Sequence, residues 1–185
     1  MSSAVAVQIP PGYLELPLDE SATATSFSGA HVGELLAGLG DSGVRYCGLG
    51  QHASPTTGRT VTSWLTVAVY EAPGATQNPR LVLKGLAEAK LAARAPGEIV
   101  VGDLDGRPVL LCEQAAAPRL RAVDRESAAV YQLQVVVPSS DATAVAAIEL
   151  STRATEDGPR FRTMVTQMAR SVRFEPHRRP TLLQL

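Results

Sequence analysis

The segment TVTSWLTVAVYE, residues 60–71, has the clearest β-strand pattern in the chain. Apolar side chains fall on one face of an extended chain here, namely Val61, Leu65, Val67 and Val69. The opposite face has Thr62, Trp64, Thr66 and Tyr70. Because β-branched and aromatic residues dominate both faces, the pattern predicts a strand that is partly covered on each side. We therefore expect Trp64 to pack beneath a helix rather than to form an exposed binding platform.

Further strand patterns lie on both sides of this segment and are separated by turn sequences. The predicted strands are residues 44–51, 98–101, 108–113, 127–137 and 143–152, with short extended segments at 5–9 and 13–18. The sequence SPTTG at 54–58 predicts a hairpin turn before residue 60. In the strand at 127–137, the predicted inward residues are Tyr131, Leu133, Val135 and Val137, and the outward residues are Gln132 and Gln134.

Three helices are predicted between these strands, each from a cap or proline followed by apolar residues at helical spacing. The first begins at Ser28, with the stripe Val32, Leu35, Leu36 and Leu39. The second begins at Asn78 and Pro79, with the stripe Val82, Leu83, Leu86, Ala89 and Ala93. The third begins at Pro159, with Phe161, Val165, Met168 and Val172. Antiparallel hairpins covered by helices predict one α+β domain over residues 1–175, followed by a flexible tail at 176–185.

Composition excludes several classes of protein. The chain has 185 residues, 45% of them hydrophobic, and a net charge of -1, which fits a single soluble domain. A near-neutral charge argues against nucleic-acid binding. The absence of a long apolar run and of a signal-peptide pattern predicts a cytoplasmic protein without a transmembrane helix. The 15 arginines against two lysines, with 27 alanines, suggest a high-GC genome such as that of an actinobacterium.

Two short motifs resemble ligand-binding signatures but are better explained as turns. Residues 38–43, GLGDSG, match the dinucleotide fingerprint GxGxxG, yet here a helix ends and a strand begins, the reverse of the order that this motif requires. Residues 103–106, DLDG, resemble the start of a calcium loop but lack its later ligands, so the Asp-Gly pair predicts a tight hairpin turn.

No catalytic, cofactor-binding or metal-ligating residues are predicted. His31, His52 and His177 stand alone, without metal-ligand spacing. The chain has no GxSxG, SxxK or P-loop lysine motif. A triad of a serine, His52 and an aspartate stays open only because spatial neighbours need not be neighbours in sequence. Cys47 and Cys112, far apart in apolar stretches, are predicted to be buried free thiols.

Charge is patterned only towards the carboxyl end of the chain. Residues 160–185 contain six arginines and one glutamate, whereas residues 1–75 contain two basic and six acidic side chains. A solvated helix face would explain this excess, as would contact with an acidic protein or an anionic lipid surface. The candidate partner-binding residues are Arg173, Arg178, Arg179, Leu182 and Leu183. We expect deletion of residues 176–185 to leave the melting temperature nearly unchanged and to weaken partner capture.

The two ends of the chain resemble PsbP-like and LpqN-like domains. The resemblance rests on IPPGY at residues 9–13 with Leu14 and Leu16, on IELST at 148–152, and on the closing segment from Phe161 to RSVRF at 170–174. It implies an α/β/α sandwich around an antiparallel sheet, and a likeness to actinobacterial proteins linked to type VII secretion loci. Members of this class are mostly adaptors or assembly factors, so no catalytic residue can be assigned from it. A departure from this resemblance is that these residues show neither the family's lipoprotein-signal pattern nor its lipobox cysteine, so the resemblance by itself does not predict an envelope location.

Together these patterns predict a non-catalytic protein-interaction or assembly module, accessory to a secretion or envelope system, with a protein partner and no cofactor. The alternative is a small-ligand-binding protein or hydrolase whose site is assembled from scattered residues. A deep pocket with converging polar groups and perturbed pKa values would favour that alternative, and a shallow surface would favour the interaction module.

Overall fold

A computed structural model describes residues 4–18, 42–72, 78–93, 97–116 and 130–175. Within these ranges seven strands form one sheet. The strands are β2 (Tyr13–Glu15), β3 (Val44–Ala53), β4 (Thr60–Glu71), β5 (Glu98–Leu104), β6 (Arg107–Ala116), β7 (Val130–Pro138) and β8 (Ala144–Thr152). Their order in the sheet is β2-β3-β4-β8-β7-β6-β5, and every neighbouring pair is antiparallel. The prediction of an antiparallel α+β fold is confirmed at this level.

Helical elements and a small second sheet complete the described chain. They are α1 (Pro79–Ala92), a 3-10 turn (Thr155–Asp157), α2 (Gly158–Ser171), and the pair formed by β1 (Val5–Ala6) and β9 (Arg173–Phe174). The sequence did not predict that the first and last described strands pair. The pairing continues to the hydrogen bond that the Glu175 amide donates to the Ala4 carbonyl at 3.0 Å.

Helix α2 covers one face of the seven-stranded sheet and forms the main core with it. All four residues of its predicted stripe are buried, with Phe161 at 1% and Val165 at 0% exposure. They pack against the predicted inward faces of β4 and β7, including Leu65 and Leu133. The stripe and both strand faces are therefore confirmed.

Helix α1 packs against part of the opposite face and begins where it was predicted to begin. Asn78 is its N-cap, and the Asn78 side chain accepts a hydrogen bond from the Arg80 amide at 3.0 Å. The predicted stripe is wrong in its second half, since Ala89 and Ala93 are exposed. Val82 and Leu83 are buried as predicted, and Ala87, which was not predicted, faces the sheet in place of Ala89. Alanine is tolerated on both sides of a helix, so its spacing did not reveal the buried side.

Trp64 packs beneath neither of the two helices in the described residues, and the prediction that it is covered is wrong. Its side chain is 41% exposed on the sheet face that α1 shares. Helix α1 packs over Leu110 and Val136, on β6 and β7, and β8 separates those strands from β4. A helix centred on β6 thus does not reach Trp64.

The hairpin between β5 and β6 has longer strands and a shorter turn than the sequence predicted. Its turn consists of Asp105 and Gly106, both with positive φ, 54° and 82°, as a two-residue hairpin of the Asp-Gly type requires. The Gly106 amide donates to Asp103 Oδ1 at 2.6 Å. The interpretation of DLDG as a hairpin turn is confirmed, and β5 extends through Leu104.

Several predictions fall on residues outside the described ranges. They are the helix beginning at Ser28, residues 38–41 of the glycine-rich motif, His31, His177 and the tail at 176–185. The last glycine of the motif, Gly43, has a φ of 84° directly before β3, in agreement with a turn. No helix in the described residues is long and apolar enough to cross a membrane.

Candidate functional site

One end of the sheet carries an open groove of about 650 Å³, which we call the arginine groove. We define it by the polar residues Asp105, Arg107, Ser139, Ser140, Arg170 and Arg173. The β5–β6 turn, the β7–β8 turn, the start of α1 and the end of α2 all contribute to its walls.

The antiparallel topology explains why these segments meet. Strand β6 begins where β7 ends, as the register partners Leu110 and Val136 show. The turns before β6 and after β7 therefore lie at the same end of the sheet. Helix α2 runs across β7 and β8 and delivers Arg170 from its last turn to this end, and Arg173 follows on β9.

Two guanidinium groups converge at the centre of the arginine groove. Arg107 Nη1 and Arg173 Nη1 both donate hydrogen bonds to the Val172 carbonyl oxygen, at 3.0 and 2.9 Å. Burial, and then the nearby charge of Arg173, lower the pKa of Arg107 from its ordinary value. Arg173 Nη1 also donates to the Arg170 carbonyl oxygen at 2.9 Å. Each guanidinium has five N–H donors, so these backbone contacts leave most of them available.

The described acidic groups in and beside the groove are paired with side chains other than Arg107 and Arg173. Asp105 pairs with Arg170 at 2.9 Å, and Asp103 pairs with Arg80 at 3.2 Å. The carboxylate of Asp141 accepts hydrogen bonds from the Ser139 and Thr143 side chains, which hold the Asp141 pKa below its usual value.

As a result, the charges of Arg107 and Arg173 are not balanced locally. Among the described residues, no carboxylate forms an ion pair with either guanidinium. An anionic group that entered the groove could therefore accept hydrogen bonds from two guanidinium groups that bind no carboxylate among the described residues.

The predicted partner-binding residues are only partly placed by the structure. Arg173 lies in the arginine groove, whereas Arg178, Arg179, Leu182 and Leu183 lie outside the described residues. Sequence reasoning missed Arg107 and Ser139. Arg107 is 65 residues from Val172, which it contacts, and the sole local signal was that it follows an Asp-Gly turn.

Around His52, the residues that the structure describes form no serine-histidine-aspartate triad. His52 Nε2 is buried without a hydrogen-bond partner, and burial followed by the Arg160 charge lowers the His52 pKa. The buried Ser63 hydroxyl instead bonds the Tyr13 hydroxyl at 2.8 Å. Asp157 Oδ1 accepts a hydrogen bond from Thr56 at 2.8 Å. In this arrangement His52 cannot serve as the base for Ser63.

The group with the most strongly raised pKa lies in the core rather than in a groove. Burial, followed by its hydrogen bond to Glu113, raises the pKa of Tyr131. The Tyr131 hydroxyl donates to Glu113 Oε1 at 2.7 Å, and Arg162 lies 3.1 Å from the other Glu113 oxygen. This network ties β7 and β6 to α2 and is structural.

Two further concave regions lie on the sheet face that α1 shares. A cavity of about 220 Å³ beside α1 is lined chiefly by Lys90, Cys112, Gln114, Gln132, Gln134 and Glu149. A groove of about 650 Å³ contains Trp64, which is flanked by residues such as Thr62, Arg59 and Arg153. Within the described ranges, no group of three or more His, Cys, Asp or Glu residues could hold a metal ion.

The cysteines partly match their prediction. Both are free thiols; Cys47 is fully buried, whereas Cys112 is half-buried at the edge of the 220 Å³ cavity. Burial raises the pKa of each thiol, so neither is activated as a nucleophile.

Comparisons with known proteins assign no family. No family model matches the chain, and no curated protein matches it. The interpretation of the arginine groove therefore rests on its own geometry.

Proposed function

We propose that this protein is a non-catalytic protein-interaction module that binds an acidic segment of a partner protein in the arginine groove. One observation carries the proposal: Arg107 and Arg173 converge on a single carbonyl oxygen while no described carboxylate pairs with them. Two adjacent guanidinium groups repel each other, and an anionic partner removes that repulsion.

An acidic peptide suits the shape and chemistry of the groove. Guanidinium forks bind carboxylates through two parallel hydrogen bonds, which gives orientation as well as attraction. The groove is open and extended, and Ser140 adds an exposed hydroxyl to its wall. An open surface with rigid turns on both sides fits a chain segment better than an enclosed small molecule.

The chemistry of the described residues supports a non-catalytic role. His52 Nε2 has no hydrogen-bond partner, and burial raises the pKa of both thiols. Tyr131, with its strongly raised pKa, belongs to a packed network beneath α2. The group with a shifted pKa in the arginine groove, Arg107, is a guanidinium that stays protonated and therefore supplies no acid, base or nucleophile.

The finer assignments remain part of this proposal. They are an α/β/α sandwich related to PsbP-like and LpqN-like domains, a cytoplasmic location, and an adaptor or assembly role accessory to a secretion or envelope system. The position of α1 and α2 on opposite faces of the sheet supports the layered arrangement. The neighbourhood of the gene and affinity capture from the native host would test the pathway.

Binding of a fluorescein-labelled deca-glutamate peptide tests the groove directly. We expect salt-sensitive binding to the full chain, at least tenfold weaker in the double variant Arg107→Gln/Arg173→Gln. The matched control is Arg59→Gln/Arg153→Gln, which removes the same charge from two exposed arginines outside the groove.

Equal weakening by both double variants would mean that the peptide responds to net charge, and the proposal would fail. It would also fail if deca-glutamate did not bind at low ionic strength. Circular dichroism and thermal melting verify that each variant remains folded.

A second candidate function is small-ligand binding in the groove beside Trp64. The observation that favours it is the 41% exposure of a tryptophan among hydroxyl and guanidinium groups. Quenching of the Trp64 fluorescence by a small-molecule library would detect it, because this is the only tryptophan in the chain.

A further inference from the structure

The two edges of the seven-stranded sheet differ in how they are protected. The edge strand β2 has three residues and lies close to Pro10, Pro11 and Pro17. The edge strand β5 has seven residues, contains no proline or lysine, and pairs with β6 without a bulge. Natural proteins usually block a long regular edge, because its free backbone groups attract another strand.

The centre of β5 is apolar and exposed. Val100 and Val101 are 40% and 41% exposed, although they point to opposite faces of the sheet. The two charged residues of the strand, Glu98 and Asp103, lie at or next to its ends. Hydrophobic residues on both faces of an open edge are typical of a strand that becomes an interior strand on association.

The register of the hairpin shows which backbone groups face outward. The turn at Asp105 and Gly106 makes Leu104 and Arg107 the closing hydrogen-bonded pair. Alternation then directs the amides and carbonyls of Ile99, Val101 and Asp103 away from β6. Among the described residues no strand pairs with this side of β5.

We propose that β5 pairs antiparallel with β5 of a second copy of this chain, about a two-fold axis at Val100. Each Val100 then faces the partner subunit's Val100, and Ile99 faces the partner subunit's Val101. The two sheets become one continuous sheet of fourteen strands, twice the seven in each subunit. A two-fold axis makes the contact self-complementary and closed.

The positions of the two charged residues of β5 favour this register over others, and they allow β5 of a second copy to pair with this edge. Glu98 faces the partner subunit's Gly102, and Asp103 lies beyond the end of the partner subunit's β5, so neither carboxylate is opposite another acid or an apolar side chain of that strand. A β-carbon added at Gly102 would meet nothing within 4 Å, so the space opposite Glu98 is open. A shift of the axis to Val101 would place Ile99 against Asp103, an apolar residue against a carboxylate.

Disulfide crosslinking tests the register. Opposed residues in a non-hydrogen-bonded antiparallel pair have Cα atoms about 4.5 Å apart, within the range that a disulfide spans. We expect Val100→Cys to give a covalent dimer on mild oxidation of the full chain. Val101→Cys, equally exposed and with the same number of thiols, should give no more dimer than the unmodified chain.

Covalent dimer in equal yield from both variants, or a higher yield from Val101→Cys, would overturn the proposed pairing. Sedimentation of the unmodified chain provides an independent test: we expect reversible dimers. Val101→Lys should raise the dimer Kd at least tenfold with an unchanged far-ultraviolet circular dichroism spectrum, whereas Leu91→Lys, at an exposed site on α1, should leave the Kd unchanged. A monomer throughout the accessible concentration range would also overturn the proposal.

Discussion

The two faces of the sheet are built from alternate residues of the same strands, yet they differ in composition. Beneath α2, the side chains of β7 are Tyr131, Leu133 and Val135, all buried. On the opposite face the same strand presents Gln132 and Gln134, both half-buried, before Val136 reaches the apolar patch below α1. A single strand thus contributes to a continuous core on one side and to a mixed surface on the other.

The polar part of the second face extends across neighbouring strands. Cys112, Gln134 and Glu149 lie side by side in register, and Gln134 Nε2 donates to Glu149 Oε2 at 3.2 Å. Gln114 likewise donates to Gln132. Hydrogen-bonded amides tolerate partial burial, whereas they could not replace leucine in the closed core. The face beneath α2 therefore supplies most of the stability, and the other face is freer to vary.

Phe161→Ala should have the largest effect on stability. Its ring is buried among residues of β4, β7 and β8, so the substitution should lower the free energy of unfolding by about 3–5 kcal/mol. Chemical denaturation monitored by circular dichroism measures it. The control is Leu81→Ala, because Leu81 on α1 is 55% exposed and its substitution should change the free energy of unfolding little. A loss below about 1 kcal/mol for Phe161→Ala would refute the assignment of the main core.

Leu110→Ala examines the smaller apolar patch beneath α1. Leu110 is 0% exposed and contacts a cluster with fewer buried residues than the one beneath α2. We expect a loss of about 2–3 kcal/mol, at the lower end of the range for a buried leucine. If this loss exceeded that of Phe161→Ala in the same denaturation assay, the proposed difference between the faces would be wrong.

His52 should make stability depend on pH near neutrality. Its pKa in the folded protein lies below the ordinary value of 6.5, so the unfolded chain binds the proton more readily. The contribution of His52 to the free energy of unfolding is fully present above pH 6.5. It is lost as the pH falls from that value through the lower pKa of the folded state. Urea unfolding between pH 8 and pH 5 measures the slope, which His52→Gln should flatten. Asp141 should make stability depend on pH only at lower pH, below its ordinary pKa of 3.8. This dependence should persist in the His52→Gln variant.

Gln134→Leu should have the smallest effect. The substitution removes a hydrogen bond to Glu149 but also removes a buried amide oxygen that has no partner. These contributions oppose each other, so we expect a change within about 1 kcal/mol in either direction. A loss above about 2 kcal/mol would mean that the glutamine row is as essential as the core beneath α2.

Local patterns predicted most of the secondary structure because burial alternates with a short period. The faces of β4 and β7, the stripe of α2 and the cap of α1 each depend on neighbours within a few residues. The exposure of Trp64 could not be predicted in this way. It depends on which strands α1 covers, and strand order arises from pairings between distant segments.

The sequence by itself determined an antiparallel α+β fold, its turns, and an excess of arginine near the carboxyl end. Only the tertiary structure decided that Arg173 on β9 meets Arg107 on the β5–β6 hairpin, and that β5 is a long open edge among the described strands. The reason is physical: periodicity records whether a residue faces inward, but not which distant residue lies opposite. Charge in the sequence is a sum over residues, whereas a binding groove requires that particular charges converge while their counter-charges are engaged elsewhere.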